Sequence, residues 1–408
     1  MSKKILILIE SINLNDSSGI KGRLSLIKNL AQLGHNLKVY HLDTSNPIID
    51  GVETLALSRN KTSAFYWLAR LKTLFSKGGL NFNRYVEERY GFSFSHYEDV
   101  GRFKKALSQE NQDHYDIVFT LSKAASFRPH KAVLESPKWH SKWYAYIHDP
   151  YPMYAYPRPY DWAEPGSLKK RAFFLELYKK SKKVVYPSLL LAEWMESYYD
   201  GSTKRLIIPH QIDQELAIAS QTRVLPDFFD PDNFNILHAG SLMKQRPPFI
   251  LIKAFQDFLK KRPEAKIEAR LIFIGNVFDG HKKELNSYAS SNVIVHNQYM
   301  DFNVVFELQQ QASMNVVIEA NTPYSPFLPG KMPHLVIADK PILHVGPAYS
   351  ETMRLLGEEY PWHVSNHESH VTKLSEKLVL AYKEWSTKKS FSLQRTDLKE
   401  YLSKITLE

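Results

Sequence analysis

The sequence has 408 residues, more than one typical core holds, and its 43% hydrophobic and 24% charged content is typical of a folded protein with about two domains. It contains no cysteine, so disulfide bonds, thiolate metal sites and a cysteine nucleophile are excluded. No apolar run approaches the roughly 20 residues that span a bilayer, and the run Ile5–Ile9 is too short for a signal peptide. We therefore expect a cytoplasmic protein.

The net charge of +10 is unevenly distributed along the chain. Residues 1–200 contain 29 Lys and Arg against 20 Asp and Glu, whereas residues 201–408 contain 24 against 23. The first half is therefore expected to meet an anionic partner, which could be nucleic acid, an anionic membrane surface or a lipid-linked phosphate. A basic surface that only improves solubility is the alternative.

The chain opens with a strand–helix–strand pattern. Lys4–Ile9 is predicted to be a buried strand, and apolar residues recur at helical spacing from Leu24 to Ala31. Gly19 and Lys21 lie in the loop between these two segments. The glycine spacing in this loop does not match the dinucleotide fingerprint G-x-G-x-x-G.

Two segments of the first half combine apolar side chains with many cations. Residues 61–105 interleave aromatics with Lys and Arg, and three interpretations remain open. We favour a helical insertion with the aromatics in the core, over a membrane-interface surface or a surface that stacks nucleic-acid bases. Since no nucleic-acid-binding motif is present, we expect no such partner. The second segment, Lys169–Lys180, has the pattern of a basic amphipathic helix and is the best candidate for contact with anionic lipid headgroups.

His148 and Asp149 directly follow the predicted strand Trp143–Ile147. The carboxyl end of a parallel strand is where α/β folds place functional groups, and histidine is a suitable proton acceptor near neutral pH. The alternative is a turn in which Asp149 caps the backbone before Pro150.

The second half begins with another strand, Phe234–Gly240, which is followed by a loop with several cations and a helix. A short buried strand then ends at Glu319. The loop after it contains a glycine and Lys331 just before a helical pattern, an arrangement that offers backbone N–H groups and a cation to a phosphate.

The segment Ser325–Leu343, SPFLPGKMPHLVIADKPIL, resembles the S-x-FLPSK…KPIL stretch of glycosyltransferases with the GT-B fold that are related to the GT4 family. The resemblance covers nearly the whole chain in order and is closest over residues 316–346. It implies an α/β protein of two Rossmann-like domains whose parallel sheets face a cleft. Residues 1–212 would bind the acceptor and residues 213–385 the donor. A C-terminal helix, residues 386–408, would cross back and pack on the first domain.

The resemblance also implies roles for individual residues. Ser241 stands where the family has an arginine and Arg246 where it has a lysine, with Lys244 as a substitute cation; the planar fork of Arg246 can bind phosphate oxygens bidentately. The implied catalytic residues are His148, Arg246 and Lys331. The implied donor-binding residues are Gly240, Ser241, Lys244, Asn297, Gln298, Tyr299, Ser325, Phe327, Leu328, Gly330, His334 and Glu351. The implied acceptor-binding residues are Gly19, Lys21 and Asp149.

One departure from the family concerns its two glutamates, E-x7-E, which contact the donor sugar and ribose. Their positions fall at Pro326 and His334, and neither residue is acidic. Glu319 lies seven residues too early to be a simple substitute.

The implied reaction transfers a sugar from a nucleotide-sugar donor, UDP-linked, to a glycan or lipid-linked acceptor in cell-surface polysaccharide synthesis. If the chain follows GT4, the anomeric configuration is retained, and no metal or other cofactor is needed. The alternatives are a non-catalytic binding protein with the same fold and a nucleotide-sugar epimerase. The expected partners are the donor, the acceptor and, through the basic first half, an anionic membrane surface, with the protein in the cytoplasm or peripheral at the inner face of the membrane.

Overall fold

The computed structural model describes residues 2–13, 19–44, 47–77, 82–213, 225–388 and 392–408. The chain divides into two compact units, and each contains one parallel sheet. The first unit comprises Met1–Tyr156, Tyr160–Gln214 and Ser403–Glu408, and the second comprises Pro157–Pro159 and Glu215–Leu402.

The first unit contains a seven-stranded sheet in the order β3-β2-β1-β4-β5-β6-β7. Its strands are β1 (Lys4–Ile9), β2 (Asn36–His41), β3 (Val52–Ala56), β4 (Ile117–Leu121), β5 (Trp143–Tyr146), β6 (Lys183–Tyr186) and β7 (Arg205–Ile207). Its helices are α1 (Ile20–Gln32), α2 (Ala64–Lys77), α3 (Asn83–Tyr90), α4 (Phe94–Gln109), α5 (Arg128–Leu134), α6 (Ser167–Lys180) and α7 (Leu189–Glu196). Almost every residue of β1 and β4 is buried, which explains why these strands are nearly continuous apolar runs.

The second unit contains a six-stranded sheet in the order β10-β9-β8-β11-β12-β13. Its strands are β8 (Phe234–Ala239), β9 (Ala269–Ile274), β10 (Val293–His296), β11 (Met314–Ile318), β12 (Ile342–Val345) and β13 (His363–Val364). Its helices are α8 (Phe249–Lys261), α9 (Asp279–Ser287), α10 (Phe302–Gln311), α11 (Met332–Ala338), α12 (Glu351–Leu356), α13 (Val371–Lys388) and α14 (Thr396–Ser403). Short 3-10 turns lie at Gln112–His114, Ala124–Ser126, Pro137–Lys142, Met153–Ala155, Ser202–Lys204, Pro263–Lys266 and Glu368–His370.

Both sheets follow the 3-2-1-4-5-6 order of doubly wound folds. In the first unit the order reverses between β1 and β4, and in the second it reverses between β8 and β11. The loops that leave two neighbouring strands at such a reversal diverge to opposite faces, so a crevice opens at the carboxyl ends of those strands. Each unit therefore has one preferred place for a ligand.

The strands predicted at Lys4–Ile9, Trp143–Ile147, Phe234–Gly240 and before Glu319 correspond to β1, β5, β8 and β11, while β3 and β13 were not predicted. Strand β3 is an edge strand whose residues are at most partly buried, and β13 has only two residues, so neither produces a clear apolar pattern. The polar, proline-containing segment 213–233 is predicted to be the linker between the domains, and about half of it lies outside the described residues. Within the described part of the chain, no helix is both long and apolar enough to cross a membrane.

The C-terminal region differs from the helix predicted for residues 386–408. It forms α13 and α14, and the chain after Ser403 is not helical. Ile405 and Leu407 both pack into the core of the first unit, and the Tyr144 hydroxyl donates to the Leu407 carbonyl over 2.9 Å. This two-residue alternation suits an extended chain, so a non-helical tail occupies the place where a helix was expected.

Candidate functional site

The loop after β8 meets the loop after β11 at the reversal point of the second sheet. Gly240 directly follows β8 with φ +152°, and a Cβ atom at this position would lie 2.9 Å from the Nζ atom of Lys331. Lys331, at the end of the loop that follows β11, therefore packs directly over Gly240. Glycine suits this position for two reasons: its backbone angle is unfavourable for other residues, and an added side chain would push the lysine amine aside.

Arg246 adds a second positive charge near Lys331. Burial, followed by the proximity of Arg246, lowers the pKa of Lys331 from 10.5 to about 7. Among the described residues, no carboxylate pairs with Lys331. Two cations held close together at a strand end are suited to an anion that carries more than one charge, such as a diphosphate.

His238 lies beside the two cations, two residues before Gly240 and on the same face of the strand. It is 3% exposed, and its Nδ1 atom lies 3.2 Å from the Val316 carbonyl oxygen, an arrangement that assigns the proton to Nδ1. Its Nε2 atom has no hydrogen-bond partner in the described part of the chain and lies 3.7 Å from the position of a Cβ on Gly240. Burial, and then Lys331, holds the pKa of His238 well below its ordinary value. The neutral ring can therefore accept a hydrogen bond from a ligand hydroxyl.

The ends of β8 and β9 approach each other closely. Gly275 follows β9 with φ +128°, and a Cβ atom there would lie 2.7 Å from the Gly240 carbonyl oxygen. The Asn297 side chain accepts a hydrogen bond from the Val277 backbone N–H over 3.0 Å and so supports the loop after β9. These contacts fix the backbone on which Lys331 rests.

A buried carboxylate anchors the loop that carries Lys331. Glu319, immediately after β11, is 3% exposed and accepts hydrogen bonds from the Ser325 hydroxyl, from the Thr352 hydroxyl over 2.5 Å and from His344 Nε2 over 3.0 Å. Its own carbonyl accepts from Asn366 over 2.7 Å. Burial alone would raise the pKa of Glu319, but the hydrogen bonds, chiefly from His344, outweigh it and lower the pKa. The Ser325 hydroxyl, which was predicted to bind the sugar donor, donates its hydrogen bond to this carboxylate.

The other predicted donor-binding residues lie in varied environments. Glu351 is fully buried and forms a bidentate ion pair with Arg354, with distances of 2.7 and 3.0 Å. His334 is buried with its ring edge-on to Phe302, at a centroid distance of 4.7 Å. Leu328 is buried and Phe327 is partly buried. The exposed residues are Ser241, Lys244, Asn297, Gln298, Tyr299 and Gly330. Donor binding by each of these residues stays a prediction.

The first unit gathers basic and neutral nitrogen groups at its own reversal point. Arg23, in the first turn of α1, is 3% exposed and donates to the Ser122 carbonyl after β4. The His148 and His210 rings lie nearly parallel, at an interplanar angle of 9° and a centroid distance of 6.1 Å. Burial, and then Arg23, holds the pKa of His148 well below its ordinary value and lowers that of His210 to about 4. His148 Nε2 has no partner among the described residues, so its neutral ring remains available as a hydrogen-bonding group.

The three predicted acceptor-binding residues are close in sequence to Arg23 or His148 and differ in exposure. Gly19 is exposed at the start of α1, and Lys21 and Asp149 are partly buried. The sequence reasoning missed Arg23, His210 and His238. Two of them had a signal, because Arg23 interrupts an apolar helix and His238 interrupts an apolar strand.

The described residues contain no group of three or more His, Asp or Glu side chains arranged to hold a metal ion. The expectation that no metal is needed stays a prediction.

Comparison with known proteins gave matches among solved structures alone. Neither a protein-family model nor a curated protein matches the chain. An alpha,alpha-trehalose-phosphate synthase (UDP-forming) from Burkholderia xenovorans, in complex with glucose-6-phosphate, is similar with a TM-score of 0.61 and 9% identity, over 98% of this chain and 100% of that chain. Anabaena HepE in complex with UDP and glucose has a TM-score of 0.57 and 12% identity, over 98% and 94% of the two chains. A glycosyltransferase from Rickettsia africae has a TM-score of 0.52 and 14% identity, over 98% of each chain.

These similarities show the fold. The chain has the GT-B fold, with two Rossmann-like units, and the fold class predicted from the sequence is confirmed.

Proposed function

We propose that the chain is a glycosyltransferase that binds a nucleotide-sugar donor in its second unit and an acceptor in its first. The observation that carries this proposal is the packing of Lys331 over Gly240 beside Arg246, at the reversal point of the second sheet. The diphosphate of such a donor matches two neighbouring cations. HepE, whose structure contains UDP, and the UDP-forming synthase support UDP as the nucleotide.

In the proposed reaction, the bond between the sugar C1 atom and the diphosphate oxygen breaks, and the diphosphate leaves with the electron pair. The acceptor hydroxyl oxygen forms the new bond to C1, and its proton passes to the leaving diphosphate oxygen. Negative charge develops on the leaving diphosphate, where Lys331 and Arg246 would stabilise it without any rearrangement. We assign His148 to orient a hydroxyl of the acceptor or donor. We further propose retention of the anomeric configuration without a metal, and an acceptor among the glycans or lipid-linked glycans of surface polysaccharides.

The affinity for UDP is expected to fall as the pH rises above about 7, the pKa of Lys331 in the free protein. Bound diphosphate favours the protonated lysine, so each further pH unit should weaken binding by up to about tenfold. Of the groups facing Lys331, Arg246 stays charged and His238 stays neutral in this range, so neither should contribute. Calorimetric titration of UDP at several pH values measures this slope. Lys331→Arg should remove it, and a slope that persists in that variant would assign it to UDP itself.

Gly240→Ala is expected to weaken UDP binding by about tenfold or more, because the added methyl group displaces Lys331 and the backbone angle becomes strained. Gly101→Ala is the control, since a Cβ atom there meets nothing within 4 Å and the residue lies on α4, away from the donor-site loops. Equal UDP affinities for the two variants would contradict the assigned packing.

The experiment that tests the function is incubation with a panel of UDP-sugars, followed by analysis of both products. Release of UDP above the level of a Lys331→Met variant is the result we expect. A nucleotide sugar recovered with altered stereochemistry would identify an epimerase instead.

A binding protein with the same fold is the second candidate, and His334 favours it. The residue stands where related enzymes have a glutamate, and its ring packs on Phe302. UDP binding without UDP release from any donor would support this candidate.

A further inference from the structure

Helix α2 exposes a continuous apolar stripe. The stripe consists of Trp67, Leu68, Leu71 and Leu74, whose exposed fractions are 55%, 38%, 49% and 64%. Residues spaced by one, four and seven positions share one face of a helix. Exposed large apolar residues are common singly, but four on one face form a patch that usually has a partner.

The stripe is not the face by which α2 packs on the protein. Tyr66 is 6% exposed, and the Phe65 ring stacks on Tyr97 of α4 at a centroid distance of 5.2 Å. The opposite face of α2 is therefore already anchored. The favoured interpretation of residues 61–105, aromatics in the core of a helical insertion, holds for Tyr66 but is wrong for Phe65 and Trp67, which are 40% and 55% exposed.

The indole N–H of Trp67 donates to the Lys61 carbonyl over 3.0 Å. The ring can therefore enter an apolar environment without leaving an unsatisfied donor. Trp, Leu and flanking cations form the combination typical of helices that lie in a membrane interface.

Positive charge borders the stripe on both sides. Arg70 and Lys72 flank Leu71, so they project on either side of the apolar face. The side chains of Arg70 and Lys72 also line a cavity of about 230 Å³. Arg59, Glu98 and Asp99 are further lining residues of this cavity. The carboxylate of Asp99 already pairs with Arg102 and Arg128, over 2.9 and 3.0 Å. Residues 59–90 as a whole contain seven Lys and Arg against two Glu.

We propose that α2 is a membrane-docking helix that lies flat on an anionic lipid surface. Trp67, Leu68, Leu71 and Leu74 would enter the boundary between headgroups and acyl chains, while Arg70 and Lys72 contact lipid phosphates. A helix of 14 residues is about 21 Å long, which suits an interfacial helix and not a spanning one. This inference concerns the first unit and is independent of the donor site.

A second copy of the chain fits the stripe less well. A symmetric pair of α2 helices would bring the cations of one copy against those of the other. Four side chains per copy also bury far less than the roughly 800 Å² per partner of a stable interface.

Helix α6, which the sequence indicated as the best lipid contact, uses two of its cations in contacts within the protein. Lys170 is 6% exposed and pairs with Glu87 over 3.1 Å, and Lys169 donates to the Arg89 carbonyl. Both contacts are to residues of α3, so these two cations serve packing. The structure therefore favours α2 over α6.

Flotation of the full-length protein with phosphatidylcholine vesicles, with and without phosphatidylserine, tests the proposal. The wild type should float with the vesicles that contain phosphatidylserine. The double variant Leu71→Ser/Leu74→Ser should weaken this binding by about tenfold or more, and Arg70→Gln and Lys72→Gln should each weaken it about fivefold. Leu380→Ser is the matched control, because Leu380 is 55% exposed on α13 and should be dispensable.

Three results would overturn the proposal. The wild type could fail to float, the double variant could float as well as the wild type, or light scattering could show a wild-type dimer that the double variant abolishes. Thermal melting of each variant verifies folding, which we expect to be unaffected at these exposed positions.

Discussion

Replacing Lys331 with methionine is expected to weaken UDP binding by about ten- to a hundredfold without lowering the thermal stability of the free protein. A hydrogen bond from a charged group contributes roughly 1.5–3 kcal/mol, which corresponds to this range of affinity. Without UDP, the variant is expected to melt at a higher temperature than the wild type. The wild-type site holds a partly buried cation beside Arg246, and no carboxylate among the described residues pairs with it. A residue that only supports the fold would show the opposite effect on melting.

The pH dependence of this stabilisation has a definite sign. The pKa of Lys331 is about 7 in the folded protein against 10.5 in the unfolded chain, so the unfolded chain binds more protons between these values. The lysine therefore lowers the free energy of unfolding most below pH 7, and this destabilisation shrinks as the pH rises towards 10.5. The gain of the methionine variant should be largest below pH 7 and should diminish in alkaline buffer.

Lys266→Met is the control for this comparison, since Lys266 is exposed in a 3-10 turn of the same unit. It should change neither UDP affinity nor the melting temperature appreciably. A Lys331→Met variant that melts at a lower temperature and still binds UDP would assign the lysine a structural role.

Glu319→Ala is expected to destabilise the second unit by about 3–5 kcal/mol. The substitution leaves three donors, on Ser325, Thr352 and His344, buried without their shared acceptor. It also releases the loop that carries Lys331, so any folded variant should bind UDP weakly. Thermal or denaturant unfolding measures the first effect and calorimetric titration the second.

The stabilising effect of Glu319 should also depend on pH. Its pKa in the folded protein is lower than its ordinary value of 4.5, so its contribution is complete above that value and is lost as the pH falls further. Glu359→Ala, which removes an exposed carboxylate from the same unit, should change stability by less than about 0.5 kcal/mol. Indistinguishable unfolding midpoints for the two variants would contradict the anchoring role.

The strands of both sheets were predictable wherever burial produces a continuous apolar run. β1 and β11 are such runs, and the loops that follow them could be assigned to the ligand-binding edge. Strand β3, at the edge of its sheet with polar Glu53 and Thr54, gives no comparable pattern. The C-terminal tail was mistaken for a helix because the sequence does not mark where the preceding helix ends. The alternation of Ile405 and Leu407 is too short to indicate an extended chain.

The site could be predicted in part for a similar reason. Arg246 and Lys331 lie in loops whose position follows from the strand pattern. The packing of Lys331 over Gly240, close to Arg246, depends on β8 and β11 being neighbours and on the unusual backbone angle of that glycine, which the sequence does not reveal. Likewise, the composition of α2 does not reveal which of its two apolar faces packs on α4.

The most direct test of the proposed donor site is calorimetric titration of UDP, GDP, ADP and CDP into the wild-type protein and into Arg246→Ala. We expect one nucleotide, UDP, to bind selectively and to lose about tenfold or more in affinity in the variant. Absence of binding for all four nucleotides in the wild type would contradict the assignment of the second unit as a nucleotide-sugar site.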